Sequence, residues 1–386
     1  MTNIDYTGYF DYGAATPVDI AVFGAMQPYY AQFFYNPSAI YIKSRSVRTD
    51  LQNARHVVAM AIGARPSEII LTAGGSEANN LAIKGILEQH PGTSIIMTTI
   101  EHESVLKPAK KFKNINLVVN NKGIVDVAEL RNKLTDSVSL ISVMYANNEI
   151  GSIQPIKEIA FLVHEVRQDR LKRNCKTPLY LHTDACQATN YLDINVARLG
   201  IDMMSLGGGK IYGPKQTGIL YIRAGLVLTP LIDGGGQEYG LRSGTENIAG
   251  VVGFAGAIKN AIKNQKSEVL RLSKMRDSAL KRLSNEMPGI EINGPNGNKR
   301  LANNIHITIP GVDNEYLLMQ LDERGFQVAT GSACSASSDE PSHVLKALGL
   351  SDSQARSSLR LTMGRYTTKH DVNRLIDNIV QLVSKK

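Results

Sequence analysis

The chain has 386 residues, of which 43% are apolar and 20% are charged, and its formal net charge is +8. This composition is that of a globular protein, and the length favours two domains over one. Lysines and arginines are scattered without the basic stripe and aromatic partners of a nucleic-acid-binding surface, so we predict no direct nucleic-acid partner. Because the sequence has no apolar run of roughly 18 residues and no signal-peptide pattern at its N-terminus, we expect a cytoplasmic protein with no membrane partner.

From about residue 67 to 224, short apolar runs alternate with helix-like stretches. Strands are predicted at 68–72, 94–100, 140–144 and 179–182, and a helix at 76–89. The strand segments are mostly apolar rather than alternating, which is typical of strands covered on both faces. The alternation of strands and helices predicts an α/β fold with a mostly parallel sheet and helices on both sides.

The pattern changes after about Gly256. Residues 259–287 have the charge-rich pattern of a long amphipathic helix, and strands are predicted within 289–295 and at 304–309. The alternation in 304–309 indicates a strand with one solvent-exposed face. We therefore predict a large domain over 13–258 and a smaller α+β domain formed by 1–12 and 259–386.

The three cysteines, Cys175, Cys186 and Cys334, are too few for a disulfide framework and have no paired metal-ligand spacing. We predict free thiols, a reducing compartment and no metal site. Cys334 differs from the other two because residues 329–337 are almost all glycine, serine, alanine and threonine, a composition typical of an accessible loop. Cys175, in a basic loop, and Cys186, in a turn, are interpreted as bystanders.

Glycines and polar residues follow the predicted strands, where ligands bind in doubly wound sheets. Gly75 and Ser76 follow the first strand and open a helix, so their N–H groups could bind a phosphate; an ordinary turn is the alternative. His102 follows the second strand, and an imidazole there could stack on a planar cofactor and carry protons near neutral pH. The alternative for His102 is a partly buried side chain bonded to the backbone.

Asn148 follows the third predicted strand, and Asp184 and Gln187 follow the fourth. A carboxylate at such a position can keep a pyridinium nitrogen protonated, which makes the ring an electron sink. The alternatives are that Asp184 caps its own turn and that Asn148 and Gln187 hydrogen-bond within loops.

Lys210 lies in the glycine turn 207–214. Glycines let the backbone approach a ligand closely, and a neutral lysine amine forms a Schiff base with an aldehyde. Lys215 is expected to be a surface charge. Arg360, on a predicted strand, must be paired if buried, either with a substrate carboxylate or in an internal salt bridge. The lysine, Asp184 and the thiol of Cys334 together point to sulfur chemistry on a pyridoxal cofactor.

The chain resembles the cysteine desulfurases of the Nif/Isc type, in the class V group of fold-type I pyridoxal-phosphate enzymes. The matching motifs extend over nearly the whole chain: Phe10-Asp-Tyr-Gly-Ala-Ala-Thr-Pro17, Tyr35-Asn-Pro-Ser38, Thr72-Ala-Gly-Gly-Ser-Glu77, Glu101-His102, Asn147-Asn-Glu-Ile-Gly151, His182-Thr-Asp-Ala-Cys-Gln187, Lys210-Ile-Tyr-Gly-Pro-Lys215, Arg242-Ser-Gly-Thr-Glu-Asn247, Gly331-Ser-Ala-Cys334 and Glu340-Pro-Ser-His-Val-Leu-Lys-Ala-Leu-Gly349. The resemblance implies a large domain with a seven-stranded, mostly parallel sheet and a smaller α+β domain.

The resemblance also implies the roles of single residues. For pyridoxal 5'-phosphate the implied contacts are Lys210 as the Schiff-base lysine, His102 on the ring face, Asp184 on the pyridine nitrogen, Asn148 and Gln187 on the ring hydroxyl, Gly75 and Ser76 on the phosphate, and Thr245 from a partner subunit on the same phosphate. The contribution of Thr245 implies a homodimer. Asn36 and Arg360 are implied to bind the carboxylate of the substrate L-cysteine.

The implied activity is that of a cysteine desulfurase, which converts L-cysteine to L-alanine. The thiol of Cys334 takes the sulfur as a persulfide, while Lys210 and His102 are the proton carriers. The sulfur then passes to an acceptor protein, either an iron–sulfur cluster scaffold or a tRNA-thiolation enzyme.

Three positions depart from the family pattern. Gly207 and Gly209 replace the serine and histidine of Ser-x-His-Lys, and Tyr41 replaces the histidine after Asn-Pro-Ser. Because the replaced serine and histidine help to bind phosphate in the family, we predict weaker cofactor retention here.

Two other hypotheses stay open. One is a relative that acts on another amino acid as a lyase, a selenocysteine lyase or an aminotransferase, against which the Cys334 thiol argues. The other is a catalytically inactive scaffold that binds partners. The joint presence of the lysine, acid, imidazole, guanidinium and thiol argues against that scaffold.

Overall fold

The structure is a computed structural model that describes residues 5–331 and 340–384. Its strands are β1 Ile69–Thr72, β2 Ser94–Thr98, β3 Lys113–Leu117, β4 Val138–Ser142, β5 Tyr180–Asp184, β6 Met203–Gly207, β7 Gly218–Ile222, β8 Glu291–Ile292, β9 Asn304–Thr308 and β10 Ser358–Thr362. Its α-helices are α1 Ile20–Met26, α2 Pro28–Ala31, α3 Ile42–Ile62, α4 Gly75–Gln89, α5 Glu103–Ala109, α6 Val127–Lys133, α7 Ile156–Lys172, α8 Val196–Leu199, α9 Ile248–Glu286, α10 Asn314–Glu323, α11 His343–Ala347, α12 Asp352–Ala355 and α13 Lys369–Ser384. Within these ranges, none of the helices combines the length and apolarity that a bilayer crossing requires.

Seven strands form the larger sheet, in the order β1-β7-β6-β5-β4-β2-β3. Strand β7 is antiparallel to β1 and β6, while the other neighbours pair in parallel. The predicted α/β fold with a seven-stranded, mostly parallel sheet is therefore confirmed. The predicted strands at 68–72, 94–100, 140–144 and 179–182 correspond to β1, β2, β4 and β5 with ends shifted by up to two residues.

The larger sheet is buried on both faces, as its apolar strands predict. In β1, Ile69 and Leu71 pack into the core that contains α3, α7 and the first part of α9. Ile70 points to the opposite face and packs into the core that contains α4 and α5. Successive side chains of a strand point to opposite faces, so these three apolar residues hold two helical layers against one sheet.

A second sheet has the order β10-β9-β8 and is antiparallel. The prediction that its strand at 304–309 has one wet face is wrong, because every residue of β9 is buried. The polar side chains of β9 form hydrogen bonds within the protein instead of facing water. Asn293 Nδ2 donates to Thr308 Oγ1 at 2.8 Å and lies 3.0 Å from His306 Nδ1, and Asn304 Nδ2 donates to the Glu149 carbonyl at 2.7 Å.

Helix α9 starts at Ile248 rather than at residue 259, where the charged amphipathic pattern begins. Asn247 caps it, since its Oδ1 accepts a hydrogen bond from Gly250 N at 2.9 Å. The first part of α9 supplies Phe254 and Ile258 to the large core, and its later part supplies Leu283 to the core around the second sheet. The predicted boundary between domains, at 258/259, lies inside this helix, and the division into domains stays a prediction.

Candidate active site

A cavity of 360 Å³ lies at the carboxyl ends of β1, β2, β4, β5 and β6. This is the edge where ligands bind in such sheets, and the volume suits a small cofactor. The sequence-predicted residues that line it are Gly75, Ser76, His102, Asn148, Asp184, Gln187, Lys210 and Arg360. The fold thus brings these residues, which span almost 300 positions of sequence, around one space.

One side of the cavity, which we call the glycine wall, consists of Gly74, Gly75, Gly207 and Gly209. Gly74 is the N-cap of α4 and has no side chain to bond the first N–H groups of the helix. A Cβ at Gly75 would lie 2.5 Å from Cys186 Sγ, and a Cβ at Gly207 would lie 3.5 Å from Gly75 N. The glycine wall therefore packs backbone against backbone, and the N-terminus of α4 opens onto the cavity.

Lys210 lies in a 3-10 turn, Gly208–Lys210, directly after β6. Its Nζ donates to the carbonyls of Gly13 at 3.1 Å and Ala14 at 2.5 Å, both of which also line the cavity. Asn190 Nδ2 donates a hydrogen bond of 2.7 Å to the Lys210 carbonyl. The amine is thereby directed into the cavity, as the glycine turn predicts.

A second part of the cavity lining, which we call the polar wall, consists of His102, Asn148, Asp184 and Gln187. Asp184 Oδ1 accepts from Cys186 N at 2.9 Å, so the acid does cap its own turn. Its Oδ2 accepts from Asn79 Nδ2 at 2.7 Å. Since Asp184 also lines the cavity, turn capping and a ligand contact are compatible for this residue.

His102 is the N-cap of α5. Its Nδ1 accepts from Ser104 N at 3.1 Å and lies 2.8 Å from Ser104 Oγ. His102 therefore bonds to the backbone, as expected if its role were only structural, and it lines the cavity as well. Farther along the polar wall, Gln187 Nε2 donates to the Gly13 carbonyl at 2.8 Å.

Arg360 is 1% exposed and lies on β10, at the edge of the cavity. Its Nη2 forms an ion pair with Asp11 Oδ1 at 2.7 Å, and its Nη1 donates to the Asn148 carbonyl at 3.3 Å. Its buried Nε has no hydrogen-bond partner among the described residues. The internal salt bridge expected as the alternative is thus present, and the guanidinium still faces the cavity.

Two residues of the predicted site do not line this cavity. Asn36 is exposed, and its Oδ1 accepts from Ser38 N at 2.8 Å. Thr245 is exposed and lines an adjoining cavity of 180 Å³ that shares Gln216 and Thr217 with the main one. Cys334 lies outside the described residues. The roles of these three residues stay predictions.

Several residues at the site were not predicted from the sequence. Cys186 and Lys215 line the cavity, although the first was interpreted as a bystander and the second as a surface charge. Asn79 and Ser104 connect Asp184 with His102. Asn79 lies three positions after Ser76 on α4, a helical spacing that places both on one face, and this spacing was the available signal.

Glu101 lies directly beside His102 in sequence and is fully buried. Its Oε1 accepts from Thr98 Oγ1 at 2.7 Å and from Met144 N at 2.8 Å. Burial, which disfavours the charged form, raises the pKa of this carboxyl to about 8. Glu101 is therefore protonated over most of the range below pH 8.

The residues on either side of the 332–339 segment are attached to this site. Before it, Ala329 and Arg360 exchange backbone hydrogen bonds of 3.1 and 2.7 Å. After it, Ser342 Oγ donates to Glu149 Oε2 at 2.5 Å, and His343 Nε2 lies 2.9 Å from the Glu101 carbonyl. Both flanks of the segment that contains Cys334 thus contact Arg360 or residues next in sequence to the cavity-lining Asn148 and His102.

Residues 8–375 match the family described as aminotransferase class-V. The chain belongs to this family. It is 41% identical over 384 residues to cysteine desulfurase IscS of Dictyoglomus turgidum, covering 98% of this chain and 94% of that protein. It is likewise 41% identical over 384 residues to the IscS of Methanosarcina thermophila, covering 98% and 92%.

Two solved structures extend the comparison. A NifS-like protein superimposes with a TM-score of 0.89 at 30% identity, over 98% of this chain and all of that one. The structure named SspA in complex with cysteine has a TM-score of 0.79 at 34% identity, over 94% of this chain and all of that one. The predicted membership in the group of Nif/Isc-type cysteine desulfurases is confirmed, and the enzymes of this group depend on pyridoxal phosphate.

Proposed function

We propose that this class-V aminotransferase family member is a cysteine desulfurase that converts L-cysteine to L-alanine and takes the sulfur as a persulfide on Cys334. The observation that carries this proposal is the common cavity of Lys210, Asp184 and His102 at the carboxyl edge of the sheet, with Arg360 at its side. The similarity to IscS and NifS-like proteins over nearly the whole chain supports the same activity.

The residues of the cavity fit pyridoxal 5'-phosphate. The glycine wall leaves the first N–H groups of α4 open, and such a helix N-terminus binds phosphate well. Asp184 keeps a lone pair for a pyridinium N–H beyond the two hydrogen bonds it accepts. When bound, the ring supplies an electron sink for the electrons of the substrate Cα–H bond.

The side chains then have distinct tasks. Lys210 supplies the amine that attaches the cofactor and carries a proton on Nζ, which the carbonyls of Gly13 and Ala14 hold in place. His102 is the second proton carrier. Arg360 and Asn36 bind the substrate carboxylate, with Asp11 fixing the orientation of the guanidinium. Gln187 and Asn148 orient the ring hydroxyl from the polar wall.

The sulfur leaves the substrate by direct attack of the Cys334 thiolate, because the thiolate is the nucleophilic form of cysteine. The bond from Cβ to sulfur breaks, the new sulfur–sulfur bond forms on Cys334, and the electrons of the broken bond remain with the alanine moiety. A protein of iron–sulfur cluster assembly or of tRNA thiolation then accepts the sulfur. The attacking thiol of Cys334 must be in its reduced form, which a reducing compartment maintains, and this supports a cytoplasmic location.

We include a homodimer in this proposal. Thr245 is exposed in the single chain and lines the cavity next to the main one. This position suits donation of its hydroxyl to the phosphate of a partner subunit. Three large apolar side chains between the end of α2 and the first residue of α3 are highly exposed: Phe34 by 67%, Ile40 by 87% and Ile42 by 82%. Such exposure is typical of a surface that another copy covers.

The test is incubation of purified protein and pyridoxal phosphate with L-cysteine and a reductant, comparing wild type with Cys334→Ala. We expect alanine and sulfide in equal amounts from wild type and a loss of most of both in the variant. Cys175→Ala serves as the matched control and keeps the activity. Alanine formation that Cys334→Ala leaves unchanged would reject the persulfide role, and no alanine from wild type with its cofactor bound would favour another substrate.

A further inference from the structure

Asn79 is a fully buried amide between two residues of the polar wall. Its Nδ2 donates to Asp184 Oδ2 at 2.7 Å and to Ser104 Oγ at 2.8 Å. Ser104 Oγ in turn lies 2.8 Å from His102 Nδ1. An unbroken series of hydrogen bonds therefore runs from the acid to the imidazole through two side chains that do not belong to the predicted site.

The orientation of the Asn79 amide follows from its neighbours. Ionised Asp184 only accepts hydrogen bonds, so the NH2 group and not the oxygen must face it. The Asn79 Oδ1 is buried without a hydrogen-bond partner among the described residues. An unsatisfied buried oxygen is unfavourable, so the position is better explained by a need for the two donors than by general packing.

These contacts determine the direction of the remaining hydrogen bonds. Since Ser104 Oγ accepts from Asn79, its own hydrogen is available for His102 Nδ1. Ser104 N also donates to Nδ1, at 3.1 Å. An Nδ1 that accepts from two donors carries no proton, and the neutral imidazole then carries its proton on Nε2.

We propose that Asn79 and Ser104 are positioning residues that hold neutral His102 as the Nε2–H tautomer and connect its hydrogen bonding to Asp184. The catalytic use of that tautomer rests on the proposed desulfurase activity, whereas the tautomer itself is a property of the protein. In this state His102 presents a proton at Nε2, so neutral His102 acts as a donor toward the substrate rather than as a base.

The tautomer can be measured without turnover. Protein labelled with ¹⁵N-histidine and free of added cofactor is studied by NMR above the pH range of imidazole titration, and the His102 signals are assigned by their absence in His102→Gln. We expect Nε2–H in wild type. Ser104→Ala and Asn79→Leu each remove about one hydrogen bond of support, so we expect the ratio of Nε2–H to Nδ1–H to fall about fivefold.

Asn303→Leu is the matched control. Asn303 is buried like Asn79, its Nδ2 donates to the Met363 carbonyl, and its oxygen has no hydrogen-bond partner in the part of the chain that the structure describes. It should leave the His102 tautomer unchanged. An Nδ1–H tautomer in wild type, or an unchanged ratio in Asn79→Leu, would overturn the proposal. If Asn79→Leu does not fold, Asn79→Ala is used instead. If wild type forms no alanine, that result counts against the desulfurase activity and not against the tautomer.

Discussion

The two walls of the cavity differ in the chemical groups that they present to a ligand. The glycine wall offers backbone N–H groups at the start of α4, and its geometry depends on the absence of Cβ atoms near Cys186 and Gly75 N. The polar wall presents side chains, and neighbouring residues fix their orientation by hydrogen bonds: Asn79 bonds Asp184, Ser104 bonds His102 and the Gly13 carbonyl bonds Gln187.

The difference indicates which changes each wall tolerates. A wall made of backbone fails when atoms are added, because close-packed groups must move apart. A wall made of bonded side chains fails when atoms are removed, because buried donors and acceptors lose their partners. Substitutions can therefore test the two walls separately.

The largest effect is expected at the polar wall. Asp184→Asn keeps the size of the side chain but removes the charge that we propose to face the ring nitrogen, and it places an amide against Asn79 or Cys186 N. Loss of one such electrostatic group lowers kcat by roughly 10²–10³-fold, measured as alanine formed per minute. Asp193→Asn, away from the cavity lining, is the control. A loss of less than about tenfold would contradict the role assigned to Asp184.

At the glycine wall, Gly75→Ala is expected to destabilise the fold by about 1–3 kcal/mol, measured by denaturant unfolding. The added Cβ would lie 2.5 Å from Cys186 Sγ, which must move. Gly207→Ala should cost far less, since its Cβ meets its neighbours at 3.5 Å. Recovery of stability in the double variant Gly75→Ala/Cys186→Ala identifies the clash, and equal stability of Gly75→Ala and Gly207→Ala would refute it.

Glu101, which precedes His102 of the polar wall in the sequence, should make the folding stability depend on pH. Its pKa is raised from 4.5 to about 8 in the folded protein, so the unfolded state loses the proton first and folding stability falls as the pH rises between these two values. Glu101→Gln keeps the acceptor for Thr98 and Met144 but cannot ionise. We expect its Tm to exceed that of wild type by about 2 °C or more at the upper end of this range.

The gap in Tm between Glu101→Gln and wild type should shrink as the pH falls to 4.5 and below, because the wild-type carboxyl then becomes protonated in the unfolded state as well. Glu88→Gln, at an exposed position, is the control and should give a gap that does not depend on pH. A gap for Glu101→Gln that stays constant across the range would show that Glu101 is ionised in the fold.

The smallest expected effect is a gain at the glycine wall. Gly209→His restores an imidazole that the family has at this position, and a Cβ there meets only Lys215, at 3.5 Å or more. One added charge-assisted hydrogen bond to the phosphate tightens the cofactor Kd by about tenfold, measured by fluorescence titration. Gly209→Ala is the control. No tightening in Gly209→His would reject the prediction that the glycine wall weakens cofactor retention.

Much of the large sheet and its binding edge could be predicted from sequence, because buried parallel strands are apolar runs and ligands bind where these strands end. Gly75, His102, Asp184 and Lys210 follow this rule, and they line the cavity. Their individual contacts with a cofactor stay predictions. Cys334, whose surroundings first suggested sulfur chemistry, lies outside the described residues.

The errors have physical causes. The start of α9 was missed because residues 248–258 are alanine, glycine, valine and other apolar residues, with none of the charge periodicity that marks an amphipathic helix. The wet face predicted for β9 is dry because Asn293 and Arg300 bond its polar side chains. Such individual side-chain pairs leave no periodic signal in the sequence.

Helix α9 has a consequence for cooperativity. At 1.5 Å per residue, its 39 residues extend over about 58 Å, and they supply buried side chains to both the large core and the core around the second sheet. Unfolding of either core would expose the apolar side chains that one part of α9 supplies to it. Although the described residues form two sheets, heat denaturation is therefore expected to follow a single transition, with a calorimetric enthalpy equal to the van't Hoff enthalpy.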